Sequence, residues 1–482
     1  MRLTDKTMYA RVLAGDADYN GRFFTGVLTT GIYCLPSCKA RKPKAENVRF
    51  FPTCEAARAF GLRACLKCHP DDFARGADPV LESIETLVAE IRATPSAFPD
   101  VPTIVRRSGF GSTRLFELFR QHYHTTPADL LLTARLTTAR SLLTQTSRPL
   151  ASIAADSGFE SLSVFHDHFR RLTGLTPAGF RQLPKQNTFT LTLPENYPLN
   201  YLRRALSRDS DSITEKLEGD SYTTALRLAD DSPALLTLAL SSASISVSFS
   251  LGLTHSPSTT HTLEIHRLVT ALLGLDQDAR AFARLAKKLG LTRLVKNREE
   301  LRIVQTPSIY DGLLWSIIGQ QINLPFARLL RTRLIQLCGT PLAENLYALP
   351  TPATVAKLTP ADLLPLQFSR QKADYVIAIS RLIATGQLDL TALPAMSATR
   401  AERTLLAIRG LGPWSVNYVM IRSLGFADCV PYGDTGVTSG LQSLLKLDTR
   451  PDLDATRRLM TPFSPYRSLA TAHLWQLNQP IP

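Results

Sequence analysis

Leu405–Gly425 reads LLAIRGLGPWSVNYVMIRSLG, and Cys429–Val437 reads CVPYGDTGV. The first stretch reads as a helix, a glycine turn at Gly410-Leu411-Gly412, and a second helix that starts at once. Glycines let a turn pass close to a phosphate, and the start of the following helix offers backbone N–H groups to an anion. Gly-x-Gly alone specifies little. Here Asp434 follows Gly412 by 22 residues, in a 482-residue chain of formal net charge +14. Charge of that size favours a polyanionic partner through counterion release. A sequence-neutral backbone grip followed by a carboxylate points to a helical domain that works on nucleic acid.

Two more stretches belong with these: YDGLLWSIIGQQI from Tyr310 and SPYRSLATAHLWQL from Ser464. Hairpin, downstream aspartate and flanks together resemble the helix-hairpin-helix DNA glycosylase superfamily, and within it the AlkA-type 3-methyladenine DNA glycosylase II branch. The resemblance covers about residues 187–478. It implies a base pocket walled by Trp414, Tyr418 and Trp475, with Asp434 as the catalytic carboxylate. The chemistry is coherent, because a base alkylated on a ring nitrogen is cationic and already a good leaving group. It needs an electron-rich pocket, where stacking is worth roughly 1–2 kcal/mol, and a carboxylate to stabilise the oxocarbenium-like sugar and orient water. Lyase-type relatives carry a Schiff-base lysine two residues after the second hairpin glycine. Trp414 stands there, which implies a monofunctional enzyme using water. No cysteine follows Cys429, so an iron–sulfur cluster at that end is not expected. Gly410 and Gly412 are expected at the DNA backbone, and Gln321 or Ile322 as the wedge that fills the gap left by a flipped base.

Upstream, segments near 188–193, 222–229, 235–240 and 243–251 read as strands. SISVSFSL, from Ser244, alternates serine with apolar residues, the pattern of a half-buried strand. A helical pattern follows from about His261, so residues 187–296 read as a small α+β domain.

SGFGSTRLFELFRQHYHTTPADL (from Ser108) and SGFESLSVFHDHFRRLTGLTPAGF (from Ser157) form an internal repeat. Each copy reads as helix, glycine turn, N-cap serine and second helix. Residues 80–183 resemble the double helix-turn-helix of AraC-type regulators, which implies two DNA-reading heads about one turn apart. The phenylalanines suit a core. Thr113, Arg114 and Glu117, then Ser163, His166 and Asp167, are the candidates for DNA contact.

Near the N-terminus stand GIYCLPSCKARKP (from Gly31) and LRACLKCHPD (from Leu62). Cys34, Cys38, Cys65 and Cys68 thus read C-x3-C and C-x2-C, 26 residues apart. Two close thiolate pairs suit one four-coordinate Zn²⁺. Cys54, Cys338 and Cys429 are isolated and read as buried free thiols. With GRFF, TTGIYC, PSCKAR and ENVRFF, residues 8–77 resemble the N-terminal domain of the Ada family of alkylation-response proteins. The resemblance implies that Cys34 takes a methyl group from a DNA methylphosphotriester, with Thr30, Arg41 and Arg63 near the phosphate. Ala64 departs from the family, which often has proline there. Four thiolates on one Zn²⁺ leave net negative charge facing the DNA. Methylating Cys34 reduces it, so the same site would be reagent and switch.

The expected architecture is multidomain, mainly α with α+β parts. It comprises a zinc-binding methyl-acceptor domain (1–78), a double helix-turn-helix (79–184), an α+β domain (187–296) and a helix-hairpin-helix glycosylase domain (297–482). No signal peptide, membrane span or O6-methylguanine transferase motif is evident, so a soluble cytoplasmic protein is expected. Its expected function is alkylated-base excision joined to methylphosphotriester repair and transcriptional activation. The alternative is a methyl-sensing regulator with an inactive glycosylase half. Expected partners are alkylated duplex DNA, promoter DNA and, for an activator, RNA polymerase. Zinc is the one expected cofactor, with no organic cofactor.

Overall fold

A computed structural model describes residues 3–16, 19–76, 78–252 and 258–479. The chain packs as two compact units, 1–89 and 90–482, and the division falls inside a helix, Pro79–Ala93.

In the first unit a four-stranded sheet has the order β3-β1-β2-β4, with β1 Phe24–Val27, β2 Ile32–Cys34, β3 Val48–Phe51 and β4 Arg63–Ala64. Phe24, Tyr33, Phe51, Cys54 and Leu62 form its small core. Gly26 is forced by packing, since a Cβ there would lie 2.5 Å from Leu62 and 2.6 Å from Phe51. So small a core is marginal alone, which makes the cysteine cluster beside it the natural staple.

The second unit begins with the two helix-turn-helix copies. Their second helices are Ser112–Tyr123 and Leu162–Thr173. Ser161 caps the latter as expected, accepting from the Val164 N–H. The first copy differs from expectation. Its N-cap is Gly111, without a side-chain cap, and Ser112 is already helical. The one-residue length difference between the copies therefore falls in the turn. Leu115, not Phe116, is the buried counterpart of Phe165.

A five-stranded antiparallel sheet follows, in the order β5-β9-β8-β7-β6: β5 Thr188–Thr192, β6 Glu215–Glu218, β7 Ser221–Arg227, β8 Pro233–Leu240 and β9 Ser244–Leu251. β9 buries Ile245, Val247 and Phe249 and exposes the serines between them. The charged strand β6 was not expected. Helix Thr259–Leu273 covers the sheet.

Sheet and second helix-turn-helix share one core, which runs from Leu143, Phe165, Phe169 and Phe180 to Phe189, Leu191, Leu236 and Ile265. The joint is bonded as well as packed. The Thr192 N–H donates to the Gly174 carbonyl at 2.9 Å, and Thr262 Oγ1 donates to the Gln186 carbonyl at 2.8 Å. The first copy is tied down through His122 Nδ1, 2.9 Å from Thr399 Oγ1, and through the Asp428 N–H, which donates to His124 Nδ1 at 3.3 Å.

The remaining residues form a helical body around a second large core. Among the described residues no helix is long and apolar enough to cross a membrane. Of the three isolated cysteines, Cys54 and Cys429 are buried, but Cys338 is only half-buried, contrary to expectation.

Candidate active site and metal centre

Helix Ala398–Leu406 leads into the glycine turn, and helix Pro413–Arg422 leaves it. Gly410 has φ +99°, and a Cβ there would sit 2.5 Å from the Tyr375 ring. Gly412 is exposed, caps the second helix, and has open space where a Cβ would be. Pro413 occupies the first turn, where its missing N–H costs nothing. The turn is braced from the loop after helix Ile309–Ile318. Gln320 Nε2 donates to the Gly410 carbonyl at 2.8 Å and to Ser415 Oγ at 3.0 Å. Lys372 Nζ in turn holds that loop by donating to the carbonyls of Ile317, Ile318 and Gln320 at 3.2, 2.8 and 2.6 Å. The two wedge candidates separate here. Ile322 packs against the helical core, whereas Gln321 stands exposed at φ +56°.

Asp434 caps helix Thr435–Leu445, and its Oδ1 accepts from the Val437 N–H at 3.0 Å. That ordinary role is only part of its environment. Oδ1 also accepts from Trp475 Nε1–H at 2.9 Å, and Oδ2 accepts from Trp414 Nε1–H at 3.1 Å. Two indoles, 20 and 41 residues away in sequence, thus clamp one half-buried carboxylate. Tyr418 stacks on Trp414 with centroids 5.5 Å apart and a 20° interplanar angle, and lies 6.5 Å from Trp475. All three rings are half-buried. Gly436 makes the arrangement possible, because a Cβ there would lie 2.7 Å from Trp475 Cδ1. The structure brings together the four residues singled out in the sequence, Trp414, Tyr418, Asp434 and Trp475, and adds Gly436, Gln320 and Lys372, which were not. These act through contacts distant in sequence and carry no local signal.

In the first unit, Cys34 ends β2 and Cys65 follows β4. These strands run parallel, with Ile32 opposite Arg63 and Tyr33 opposite Ala64. The Cys65 N–H donates to the Tyr33 carbonyl at 3.0 Å, so both cysteines leave the sheet side by side. A turn closed from the Cys38 N–H to the Leu35 carbonyl brings Cys38 back. The ladder uses the N–H groups of Arg63 and Cys65 but not that of Ala64, which explains why a family proline is tolerated there. The four sulfurs lie within 4.8 Å of one another. Tetrahedral zinc with bonds of about 2.3 Å sets sulfurs about 3.8 Å apart, so the donor set fits the ion. Hydrogen bonds from Cys34 and Cys68 hold the Cys38 thiol down at about 2, and the same bond to Cys38 pushes Cys34 up. Sulfurs this close can all ionise only with a bound cation to balance their charge. Cys34 keeps 9 % of its surface exposed. Thr30, Arg41 and Arg63 are all exposed, on the turn before β2, the basic segment after Cys38, and β4. In the helix-turn-helix copies Thr113, Glu117, Ser163 and Asp167 are exposed, and Arg114 pairs with Glu117 at 3.3 Å. Leu162 and Val164 are exposed beside them, 44 % and 47 %, and went unnoticed in the sequence.

Known families match all three regions: the metal binding domain of Ada over residues 7–71, a helix-turn-helix domain over 104–183, and the HhH-GPD superfamily of base excision DNA repair proteins over 314–465. A Bacillus subtilis bifunctional transcriptional activator/DNA repair enzyme, AdaA, is 31% identical over 183 residues, 38% of this chain and 85% of its own. The chain belongs to the bifunctional Ada–AlkA family. A probable bifunctional transcriptional activator/DNA repair enzyme AlkA of Mycobacterium tuberculosis (H37Rv) is 29% identical over 98% of this chain and 96% of its own. The Bacillus subtilis DNA-3-methyladenine glycosylase is 28% identical over 60% of this chain and 97% of its own. Ada–AlkA membership places the three expected parts in one polypeptide: metal-binding domain, helix-turn-helix region and glycosylase fold.

Proposed function

We propose that the chain is a monofunctional DNA-3-methyladenine glycosylase II joined to a methylphosphotriester acceptor and transcriptional regulator. The observation that carries the glycosylase reading is the clamp on Asp434. A carboxylate that receives two indole N–H groups and a backbone N–H is fixed in place beside a half-exposed aromatic group. The hairpin grips the DNA backbone through Gly410 and Gly412 while the base is flipped out, and Gln321 fills the gap it leaves. As the C1′–N bond breaks, its electron pair leaves with the base. Positive charge develops on the sugar, Asp434 stabilises it, and water adds at C1′. With Trp414 where lyases carry lysine, no imine forms.

In the first unit, the Cys34 sulfur attacks the methyl carbon of a phosphotriester. A sulfur–carbon bond forms, the carbon–oxygen bond breaks, and the electron pair stays on the phosphate oxygen. Cys34, Cys38, Cys65 and Cys68 would hold Zn²⁺, which when bound keeps the thiols deprotonated. Thr30, Arg41 and Arg63 receive the phosphate. The cysteine cluster loses negative charge on methylation, DNA binding through the helix-turn-helix region strengthens, and RNA polymerase is the protein partner at the promoter. The setting is the cytoplasm.

Single-turnover excision of 3-methyladenine from duplex DNA tests the first activity. Asp434→Asn is expected to lower the rate by ~10²–10³ with DNA binding retained. Wild-type rates in that variant would remove Asp434 from the role, and no release by wild type would leave a regulator with an inactive glycosylase half. Mass spectrometry after incubation with methylphosphotriester DNA tests the second. One added methyl on Cys34 is expected, and a methyl elsewhere or none overturns the assignment.

A further inference from the structure

Helix Pro413–Arg422 carries Trp414 and Tyr418, and one turn further on the same face it carries Arg422. Arg422 is only 8 % exposed. Its Nε is sealed from solvent without a hydrogen-bond partner, and among the described residues no side chain or carbonyl is hydrogen-bonded to the rest of its guanidinium. The charged and polar groups that reach it are Arg208, Tyr418, Glu215 and Asp311. Asp311 is taken by Arg331 at 3.0 Å, and Glu215 accepts the Tyr222 hydroxyl. Burial, and then Arg208, pull the Arg422 guanidinium down to about 10, which leaves it charged at neutral pH. A buried guanidinium whose Nε–H has no acceptor is costly to fold around, and such groups mark ligand sites.

We infer that Arg422 is a specificity-determining residue at the inner end of the base pocket, donating to a carbonyl oxygen of the flipped base. This rests on the glycosylase reading above. The acceptor must lie beside Tyr418, on the helix face that carries the aromatic residues. The group divides substrates by chemistry. A base alkylated to a cation leaves as a neutral molecule, and 3-methyladenine offers no carbonyl, so Arg422 gives it no help. A neutral oxo-purine leaves with the electron pair of its C1′–N bond and becomes an anion, with charge delocalised onto its oxygen. A guanidinium hydrogen bond to that oxygen strengthens as the bond breaks. Water supplies the hydroxyl for C1′, and its remaining proton ends on the base.

The test is single-turnover excision from otherwise identical duplexes carrying 3-methyladenine, 7-methylguanine or hypoxanthine, by wild type, Arg422→Met and Arg422→Lys. Hypoxanthine release is expected to fall at least 100-fold in Arg422→Met and less in Arg422→Lys. Release of 7-methylguanine, cationic but with a carbonyl, should fall about tenfold. Release of 3-methyladenine, which offers no acceptor, should fall least of the three, and a thermal melt near the wild-type temperature shows that the variant folds. Parallel loss on all three bases would make Arg422 structural and overturn the inference. So would wild type that excises 3-methyladenine but no hypoxanthine, while leaving the glycosylase reading intact. Wild type that releases none of the three would overturn that reading itself.

Discussion

Asp434 keeps two commitments with one carboxylate, the N-cap of a helix and the acceptor for two indoles. The second separates an aromatic wall from a positioning group. Trp475→Phe keeps a ring against Tyr418 but deletes one N–H donor to Asp434. A hydrogen bond to a charged group is worth about 1.5–3 kcal/mol, so the excision rate should fall roughly ten- to hundredfold. Affinity for DNA containing an abasic site should hardly change. If the rate is unchanged, Trp475 acts only as a wall. The identities of Asp434, Trp414, Tyr418 and Trp475 were legible because each falls on a recognisable motif. Their mutual hydrogen bonds were not, because an indole N–H can point anywhere until the helices are packed. Gly436 shows the limit best. Nothing next to it in sequence reveals that a tryptophan 39 residues later needs the space of its missing side chain.

In the hairpin the two glycines make opposite demands. Gly410 adopts a left-handed φ and lies against Tyr375, so Gly410→Ala should destabilise the fold by about 1–3 kcal/mol from backbone strain alone, before the clash. Gly412 has an ordinary φ and open space. Gly412→Ala should melt near the wild-type temperature yet bind duplex DNA more weakly, because under the proposed backbone grip its methyl group would obstruct the phosphate. Thermal melts beside DNA titrations check both, and an equal loss of stability in the two variants would refute the division. Element boundaries were legible where patterning was strong, as in β9 with its alternating serines. They were missed where it was weak. β6, Glu-Lys-Leu-Glu, is an edge strand whose polar residues carry no apolar alternation. The capping serine expected at Ser112 failed because two residues separate Gly109 from the helix it precedes, where the second copy has three after Gly158, and the cap fell on Gly111.

On the scale of the whole chain, protonation is a load on the second unit. His266 lies edge-on to Phe180 with ring centroids 5.2 Å apart, and its Nε2 is 2.8 Å from the Thr173 carbonyl. His473 is fully buried against Phe282, with its Nδ1 3.0 Å from the Leu294 carbonyl. Burial holds them down at about 4 and about 3. The unfolded chain takes up protons below about pH 6.5, whereas the folded histidines stay neutral to much lower pH. The unfolded state therefore binds more protons, and stability present above about pH 6.5 is lost as pH falls toward these lowered values. The loss is about 1.4 kcal/mol per histidine per pH unit. Urea midpoints should fall between pH 7 and 5, and His266→Gln should flatten the fall. A midpoint independent of pH over that range would contradict the burial of both rings. Zinc removal should spare this unit: chelation is expected to melt the fold of the first unit and to leave excision of 3-methyladenine intact, measured on the same sample.

The core shared by Phe169, Phe180 and Phe189 also has a genetic consequence. A stop codon placed after Lys185, just past the end of the helix-turn-helix region, removes β5 and the helix that carries His266. It strands Phe180 and Leu183 in water, and the shortened regulator should be recovered as aggregate rather than as a free promoter-binding module. Transcriptional and repair functions should then be separable by point substitution, and scarcely by deletion.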